Sequence, residues 1–257
     1  MVPELAGASL SGIWRRLKDA KLHRKRARDH IHSPDPAYQE KLAYLRTIVA
    51  RVAAQPSAAV LLYLDEVTYY RQPSIGDAYA PAGSAKPHAD RSTRSDTATR
   101  VIGALDAATG RVVAQQKTKI GVAALIRVYR DLGAAFPGRQ IYLVQDNWPV
   151  HYHPDVLAAL EPQDAPFSFK RPRSWPDEPS TRAKRLDLPI QIVPLPTYSP
   201  WLNPIEKLWH KLNQDVLHLH RLADDLPILR LRVLDFLAGF DHDSPELLRY
   251  VGLGIPS

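Results

Sequence analysis

Apolar positions follow two rhythms along this chain. Before residue 58 they recur every three or four positions: Ile13, Trp14, Leu17 and Leu22 behind Ser9 or Ser11 as N-cap, then Tyr38, Leu42, Leu45, Ile48 and Val52. That spacing predicts a short helix and charged tail over residues 9–30 and a second helix over 36–52, with breaks at Ser33-Pro34-Asp35-Pro36 and Gln55-Pro56-Ser57. From Ala58 the rhythm shortens. Apolar runs at 59–67, 99–105 and 112–117 predict three neighbouring, largely antiparallel strands, the last two joined by the hairpin-like turn Asp106-Ala107-Ala108-Thr109-Gly110.

Helical spacing returns over 121–135, with Ala124, Leu125, Val128, Tyr129 and Leu132 as its buried stripe and Phe136-Pro137-Gly138 as its stop. A fourth strand is expected at 140–145, a short helix from His153-Pro154 through Leu160, a fifth strand at 190–195, and a helix over 204–217 with Pro204 in its first turn. The order strand-strand-strand-helix-strand-helix-strand-helix resembles that of ribonuclease H-like domains. The expected class is therefore α/β, a mixed five-stranded sheet flanked by helices. It divides into a basic helical tail (1–32), a linking helix (33–57), the α/β domain (58–222) and a C-terminal helical extension (223–257), where Leu226, Leu229, Leu231, Leu234 and Leu237 read as core.

Residues 161–189 interrupt the plan. Pro162, Pro166, Pro172, Pro176 and Pro179 forbid a long helix or strand there, while Lys170, Arg171, Arg173, Arg182, Lys184 and Arg185 make the stretch basic. It reads as an inserted loop, either surface filler or a substrate-contacting flap stiffened by proline.

Charge and composition narrow the chemistry. Among 257 residues, 34 Lys and Arg face 27 Asp and Glu, a net charge of +7 that favours a polyanionic partner such as nucleic acid. Arg15, Arg16, Lys18, Lys21, Arg24, Lys25, Arg26 and Arg28 crowd one stretch, as a solvated helix face or as an arm on DNA phosphates. The absence of cysteine excludes disulfides, thiolate catalysis and Cys-type zinc sites, leaving oxygen or imidazole to hold any metal. No apolar stretch is long enough to cross a bilayer and no signal-peptide pattern follows Met1, so no membrane association and a cytoplasmic, nucleoid-associated location are expected.

Three blocks set a carboxylate at the tip of an apolar element: Leu61-Leu62-Tyr63-Leu64-Asp65-Glu66, Ile141-Tyr142-Leu143-Val144-Gln145-Asp146-Asn147 and Pro200-Trp201-Leu202-Asn203-Pro204-Ile205-Glu206. A carboxylate in such a place needs a cation or donors to offset its desolvation. Three together suggest a shared divalent metal site. Two Mg²⁺ ions about 3.5–4 Å apart can activate a nucleophile and stabilise a leaving oxygen at a phosphodiester. Asp65 would bridge them, with Asp146 on one and Glu206 on the other. Each acid also has a plain structural reading: Asp65 as a strand-end residue with Glu66 as the ligand instead, Asp146 as a turn former, Glu206 as a partner of the helix N-terminus.

The blocks Leu64-Asp65-Glu66, Asp146-Asn147-Trp148-Pro149-Val150-His151 and residues 195–209, from Leu195-Pro196-Thr197-Tyr198-Ser199-Pro200 to Trp209, resemble the three catalytic blocks of IS630-group DDE transposases, relatives of Tc1/mariner. The resemblance spans about 33–217. It implies a ribonuclease H-like fold, Mg²⁺ or Mn²⁺ dependence, DNA cleavage and strand transfer, and catalytic, metal-binding roles for Asp65, Asp146 and Glu206. By the same match Asn147 and His151 support the metal ligands or the scissile phosphate, and Asn203 caps the helix bearing Glu206, while Tyr198 and Trp209 read as packing. A homodimer in a synaptic complex is the family expectation. Glu206 lies 60 positions after Asp146, further than family members usually have, and the insertion accounts for the excess. Leu10-Ser11-Gly12-Ile13-Trp14-Arg15-Arg16-Leu17 resembles the remnant of a recognition helix, so end recognition is expected from a separate helix-turn-helix chain. A non-catalytic DNA-binding remnant or regulator and another ribonuclease H-like nuclease are the competing readings.

Overall fold

In a computed structural model, which describes residues 9–22, 32–81, 83, 86–162, 166–169 and 171–254, the chain divides into two compact units, 1–32 and 33–257. The first holds α1 (Leu10–Asp19), opened by Ser9, whose side chain accepts a hydrogen bond from the Gly12 amide at 3.1 Å. The helix stops at Asp19, short of Leu22, and buries none of its residues. Arg15, Arg16, Lys18 and Lys21 are exposed, whereas Arg24, Lys25, Arg26 and Arg28 lie outside the described residues.

The second unit runs α2 (Tyr38–Ala54), β1 (Ala59–Tyr70), β2 (Ala98–Asp106), β3 (Val112–Lys117), α3 (Val122–Ala135), β4 (Gln140–Gln145), α4 (Pro154–Leu157), β5 (Ile190–Pro194), α5 (Ile205–Leu212), α6 (Leu226–Ala238) and α7 (Pro245–Val251). The strands form one mixed sheet in the order β3-β2-β1-β4-β5, antiparallel on the β3-β2-β1 side and parallel between β1, β4 and β5. Both faces are covered, which is why β1 and β4 begin as continuous apolar runs rather than alternating ones. Val60, Leu62, Leu64, Leu143 and Ile192 pack with Leu125, Val128, Tyr129 and Leu132 of α3. Leu61, Tyr63, Val144 and Val193 pack on the opposite face with Leu45, Ile48 and Val52 of α2, Ile205, Leu208 and Leu212 of α5, and Leu229, Val233 and Leu237 of α6. The β2–β3 turn closes on Gly110 at φ 76°, where a Cβ would also lie 2.4 Å from the Ser244 carbonyl oxygen, so glycine is required twice over.

Three expectations are corrected. β1 does not end near Val67 but continues to Tyr70, because β2 keeps pairing with it after β4 has left at Tyr63. The helix after Pro204 is α-helical only to Leu212. Residues Asn213–Leu217 widen into a π-type turn where Asn213 accepts from the Ser74 hydroxyl at 2.9 Å and Leu217 from the Ser74 amide at 3.1 Å. In α6 the buried positions are Leu226, Leu229, Val233 and Leu237, whereas Leu231 and Leu234 are 57% and 39% exposed. At 100° per residue Leu231 falls opposite the buried stripe and Leu234 on its flank.

Within the insertion the described residues carry neither helix nor strand, as the prolines require. Its ends are drawn together by Leu188, whose carbonyl accepts from the Glu161 amide at 2.9 Å and whose amide donates to the Ala159 carbonyl at 3.1 Å. Phe169 stacks on Tyr152 with 3.8 Å between ring centroids, and Trp175 meets His153 at 4.8 Å. The described basic side chains Arg171, Arg173, Arg182, Lys184 and Arg185 remain exposed.

A buried ion pair ties the start of α2 to the loop after β5. Asp35 accepts from Lys41 Nζ at 2.9 Å and from the Thr197 amide at 2.8 Å through one oxygen, and from the Ala37 amide at 2.9 Å through the other. Burial alone would raise its pKa, but Lys41 and the two amides more than offset that and hold it down at about 2. Asp35→Ala leaves Lys41 buried without a counter-charge and is expected to destabilise the protein by about 3 kcal/mol in urea unfolding. Because the folded-state pKa is depressed, the wild-type contribution is complete above pH 4 and disappears as pH falls towards 2.

Candidate active site

Strand register sets the geometry of the site. The last parallel partners of β1 and β4 are Tyr63 and Val144, so Asp65 and Asp146, each two residues further on, stand level just beyond the shared ladder. Asn147 donates from Nδ2 to the Leu195 carbonyl at 2.7 Å, which ties the end of β4 to the end of β5. Glu206 comes from the first turn of α5, and with Asp65 and Asp146 it lines one cleft of about 450 Å³ whose far wall is the segment Leu195–Pro200. The three acids singled out in the sequence therefore converge on one space.

Side chains two apart on a strand share a face. Asp65 follows Leu61 and Tyr63 towards α5, where Oδ2 accepts from the Trp209 indole Nε1 at 2.9 Å. Glu66 follows Leu62 and Leu64 to the α3 face, where the fully buried His151 sits. His151 Nε2 lies 3.6 Å from Glu66 Oε1 and 3.5 Å from Asp146 Oδ1, and its Nδ1 lies 3.2 Å from the Tyr129 hydroxyl, which donates to Gln145 Oε1 at 2.7 Å. Among the described residues, Glu66, Asp146 and His151 are a cluster whose ligand atoms come within 4.8 Å of one another. The two acids of the Asp65-Glu66 pair thus serve opposite faces.

The electrostatics separate the three cleft acids. Burial, then Glu206, then Glu66 raise the Asp65 carboxyl to about 8, against the pull of the Glu66 amide and the Trp209 N–H. Glu206 is also raised, by burial and by the Asp146 charge, while a hydrogen bond with Asp65 acts in the other direction. Asp146 is lowered: burial opposes ionisation, but His151 and the Trp148 amide, which donates to Oδ1 at 2.9 Å, prevail. His151 is raised to about 9, since Glu66 and Asp146 outweigh its own burial. Neighbouring carboxyls whose ionisation is disfavoured form a hard oxygen donor set short of positive charge, and a divalent cation suits it.

Several roles read from sequence change here. Asn203 does not cap α5 with its side chain. Its Nδ2 donates instead to the Leu64 carbonyl at 3.2 Å, fastening the helix start to the strand residue before Asp65. Tyr198 is not packing: it is 73% exposed on the cleft wall with φ 54°. Trp209 is buried as expected but also bonds an acid, a contact with no periodic signature in the sequence.

A mixed sheet of this order, with one acid inside its first strand, a second level with it just past the fourth and a third on the helix after the fifth, has the ribonuclease H-like fold. Residues 60–230 match the family model described as "DDE superfamily endonuclease", and the chain belongs to that family. It is 23% identical over 232 residues to the insertion element IS630 uncharacterized 39 kDa protein of Shigella sonnei, covering 89% of this chain and 59% of that protein, so it spans little more than half of that relative's length. In fold it is similar to the Mos1 mariner transposase in its paired end complex with Mn, with a TM-score of 0.62 and 16% identity over 98% of this chain and 69% of the other. A pre-cleavage Mos1 transpososome gives a TM-score of 0.63 at 16% identity, covering 97% of this chain and 68% of the other.

Proposed function

We propose that residues 58–222 are the catalytic domain of a DDE transposase that cleaves DNA and joins the resulting end to a target by metal-dependent phosphoryl transfer. The observation that carries this reading is the convergence of Asp65, Asp146 and Glu206 on one cleft, with Asp65 and Glu206 both held above their ordinary pKa values. These three residues would hold two Mg²⁺ or Mn²⁺ ions. Bound there, the ions would supply Lewis-acid stabilisation of the phosphate and activation of water or a 3′-hydroxyl.

The chain's own residues define the remaining work. Asp146 is kept ionised by His151 and by the Trp148 amide, ready for a cation without first losing a proton. Asn203 and Asn147 hold the α5 start and the β4 end at fixed separations from β1 and β5, so that the acids keep their places. The exposed arginines and lysines of the insertion and Arg15, Arg16, Lys18 and Lys21 of the tail offer phosphate contacts on DNA. The Mos1 structures of similar fold are a paired end complex and a strand transfer complex, which supports a homodimeric synaptic assembly here. A separate helix-turn-helix chain would recognise the transposon ends, and the protein would act in the cytoplasm on the nucleoid.

The test is incubation of the purified chain with Mn²⁺ or Mg²⁺ and DNA carrying a pre-cleaved 3′ end. Joined or nicked product that disappears with EDTA supports the reading, and DNA binding without either product supports a non-catalytic remnant.

A further inference from the structure

The residue opposite Asp65 in the antiparallel β1–β2 ladder is Gly103. Directly opposed side chains project from the same face of a sheet, so any side chain at 103 would stand beside the Asp65 carboxylate. Gly103 is not among the glycines with positive φ, so its backbone conformation is open to any residue. What glycine supplies there is space. A Cβ at 103 would lie 2.7 Å from Cη2 and 3.2 Å from Cζ2 of Trp209, and 3.4 Å from Cδ1 of Ile205. The six-membered ring of the indole occupies the notch left by the missing side chain, and from there Nε1 donates to Asp65 Oδ2 at 2.9 Å.

We propose that Trp209 is a positioning residue for Asp65, and that Gly103 exists to seat it. This rests on the metal-site reading above. A carboxylate at the edge of a cleft can otherwise turn about its last bond, which spreads its oxygens over many directions. With one oxygen engaged by a rigid, 5% exposed indole, rotation of the carboxylate is restrained and it is held towards the cleft that Glu206 and Asp146 share with it. Glu206 and Trp209 are three residues apart on α5 and so occupy neighbouring positions on its surface. One helix thereby supplies the third acid and aligns the first, and any displacement of α5 disturbs both.

Trp209→Phe keeps an aromatic ring in the core while removing both the N–H and the outer ring atoms. Mn²⁺ affinity of the full chain, read from the electron paramagnetic resonance signal of free Mn²⁺, is expected to fall about 10-fold, with nicking falling about 10–100-fold. Metal-free DNA binding should not change. Gly103→Ala removes no acid and no hydrogen-bond donor, yet by pushing the indole out of its notch it is expected to weaken Mn²⁺ binding as well. In the double variant Phe lacks the atoms that Ala would meet, so Gly103→Ala should add no further loss to Trp209→Phe. Such non-additivity is not expected from two independent packing defects.

Wild-type Mn²⁺ affinity in both single variants, with only the melting temperature lowered, would reduce Trp209 to packing and overturn the proposal. If Trp209→Phe does not fold, Gly103→Ala, which retains the indole, decides the same question. Asp65→Asn is the control that separates the two claims. Loss of Mn²⁺ binding in Asp65→Asn without loss in either variant defeats the positioning role alone, and intact binding in Asp65→Asn defeats the metal-site reading itself.

Discussion

Asp65→Asn, Asp146→Asn and Glu206→Gln are each expected to reduce DNA nicking and end joining at least about 10²–10³-fold, the scale on which removal of one preorganised electrostatic group slows catalysis. Each substitution preserves side-chain size while deleting a charge that would hold a cation. Because the acids act as a unit around shared ions, combining two of the substitutions should add little to either alone. The fold should survive all three. Asp65 and Glu206 are carboxyls whose ionisation burial disfavours, so their amides remove a desolvation penalty and those two melting temperatures are expected to hold or rise, while Asp146→Asn gives up a charge that His151 stabilises and is expected to melt somewhat lower. A gel assay on nicked and joined products, run beside thermal denaturation, separates lost chemistry from lost structure. Full activity in all three variants would remove the metal-site reading.

Metal affinity should depend steeply on pH. With Asp65 raised to about 8 by burial and by its acidic neighbours, a cation entering the cleft at neutral pH must displace a proton. For one proton, affinity should fall towards tenfold per unit below pH 8, which makes binding about 50-fold weaker at pH 6 than at pH 8. The stability of the metal-free protein follows from the same shift. A carboxyl whose folded pKa exceeds its unfolded value of 3.8 binds more protons when folded, so its contribution declines as pH rises from about 4 to about 8. Asp35 behaves in the opposite sense and in a separate window, between pH 4 and 2. Mn²⁺ titrations at pH 6, 7 and 8 test the linkage, and an affinity independent of pH would contradict it.

Much of the fold was legible because local pattern and burial agree. The run at 140–145 coincides with β4, whose Ile141–Val144 are buried on both faces, and the run at 112–117 coincides with β3, a half-buried edge strand that the preceding turn bounds. Leu231 and Leu234 misled because leucine has the same meaning in composition whichever side of a helix it occupies. Only the packing partners of α6 decide which stripe is inside. The length of β1 was hidden for a related reason: Val67 to Tyr70 owe their strand conformation to β2, far along the chain.

At the site, sequence located the acids through motif and strand ends. It left open which of Asp65 and Glu66 faces the cleft, and register resolves this by setting Asp65 level with Asp146 and turning Glu66 to His151. Asn203 was expected to cap α5, the usual work of asparagine before a helix, but the nearby Leu64 carbonyl claims its side chain. The Trp209–Asp65 bond joins residues 144 positions apart. Its one trace in sequence is a glycine inside an otherwise apolar strand, a mark of close approach by another group.

The most direct test of the central claim is anomalous scattering from crystals of the metal-loaded chain, recorded with Mn²⁺ at pH 8. The account predicts manganese in the cleft bonded to Asp65 and Asp146, with a second ion shared between Asp65 and Glu206. Manganese confined to Glu66 and His151, or a cleft in which Asp65 has no metal neighbour, would contradict it.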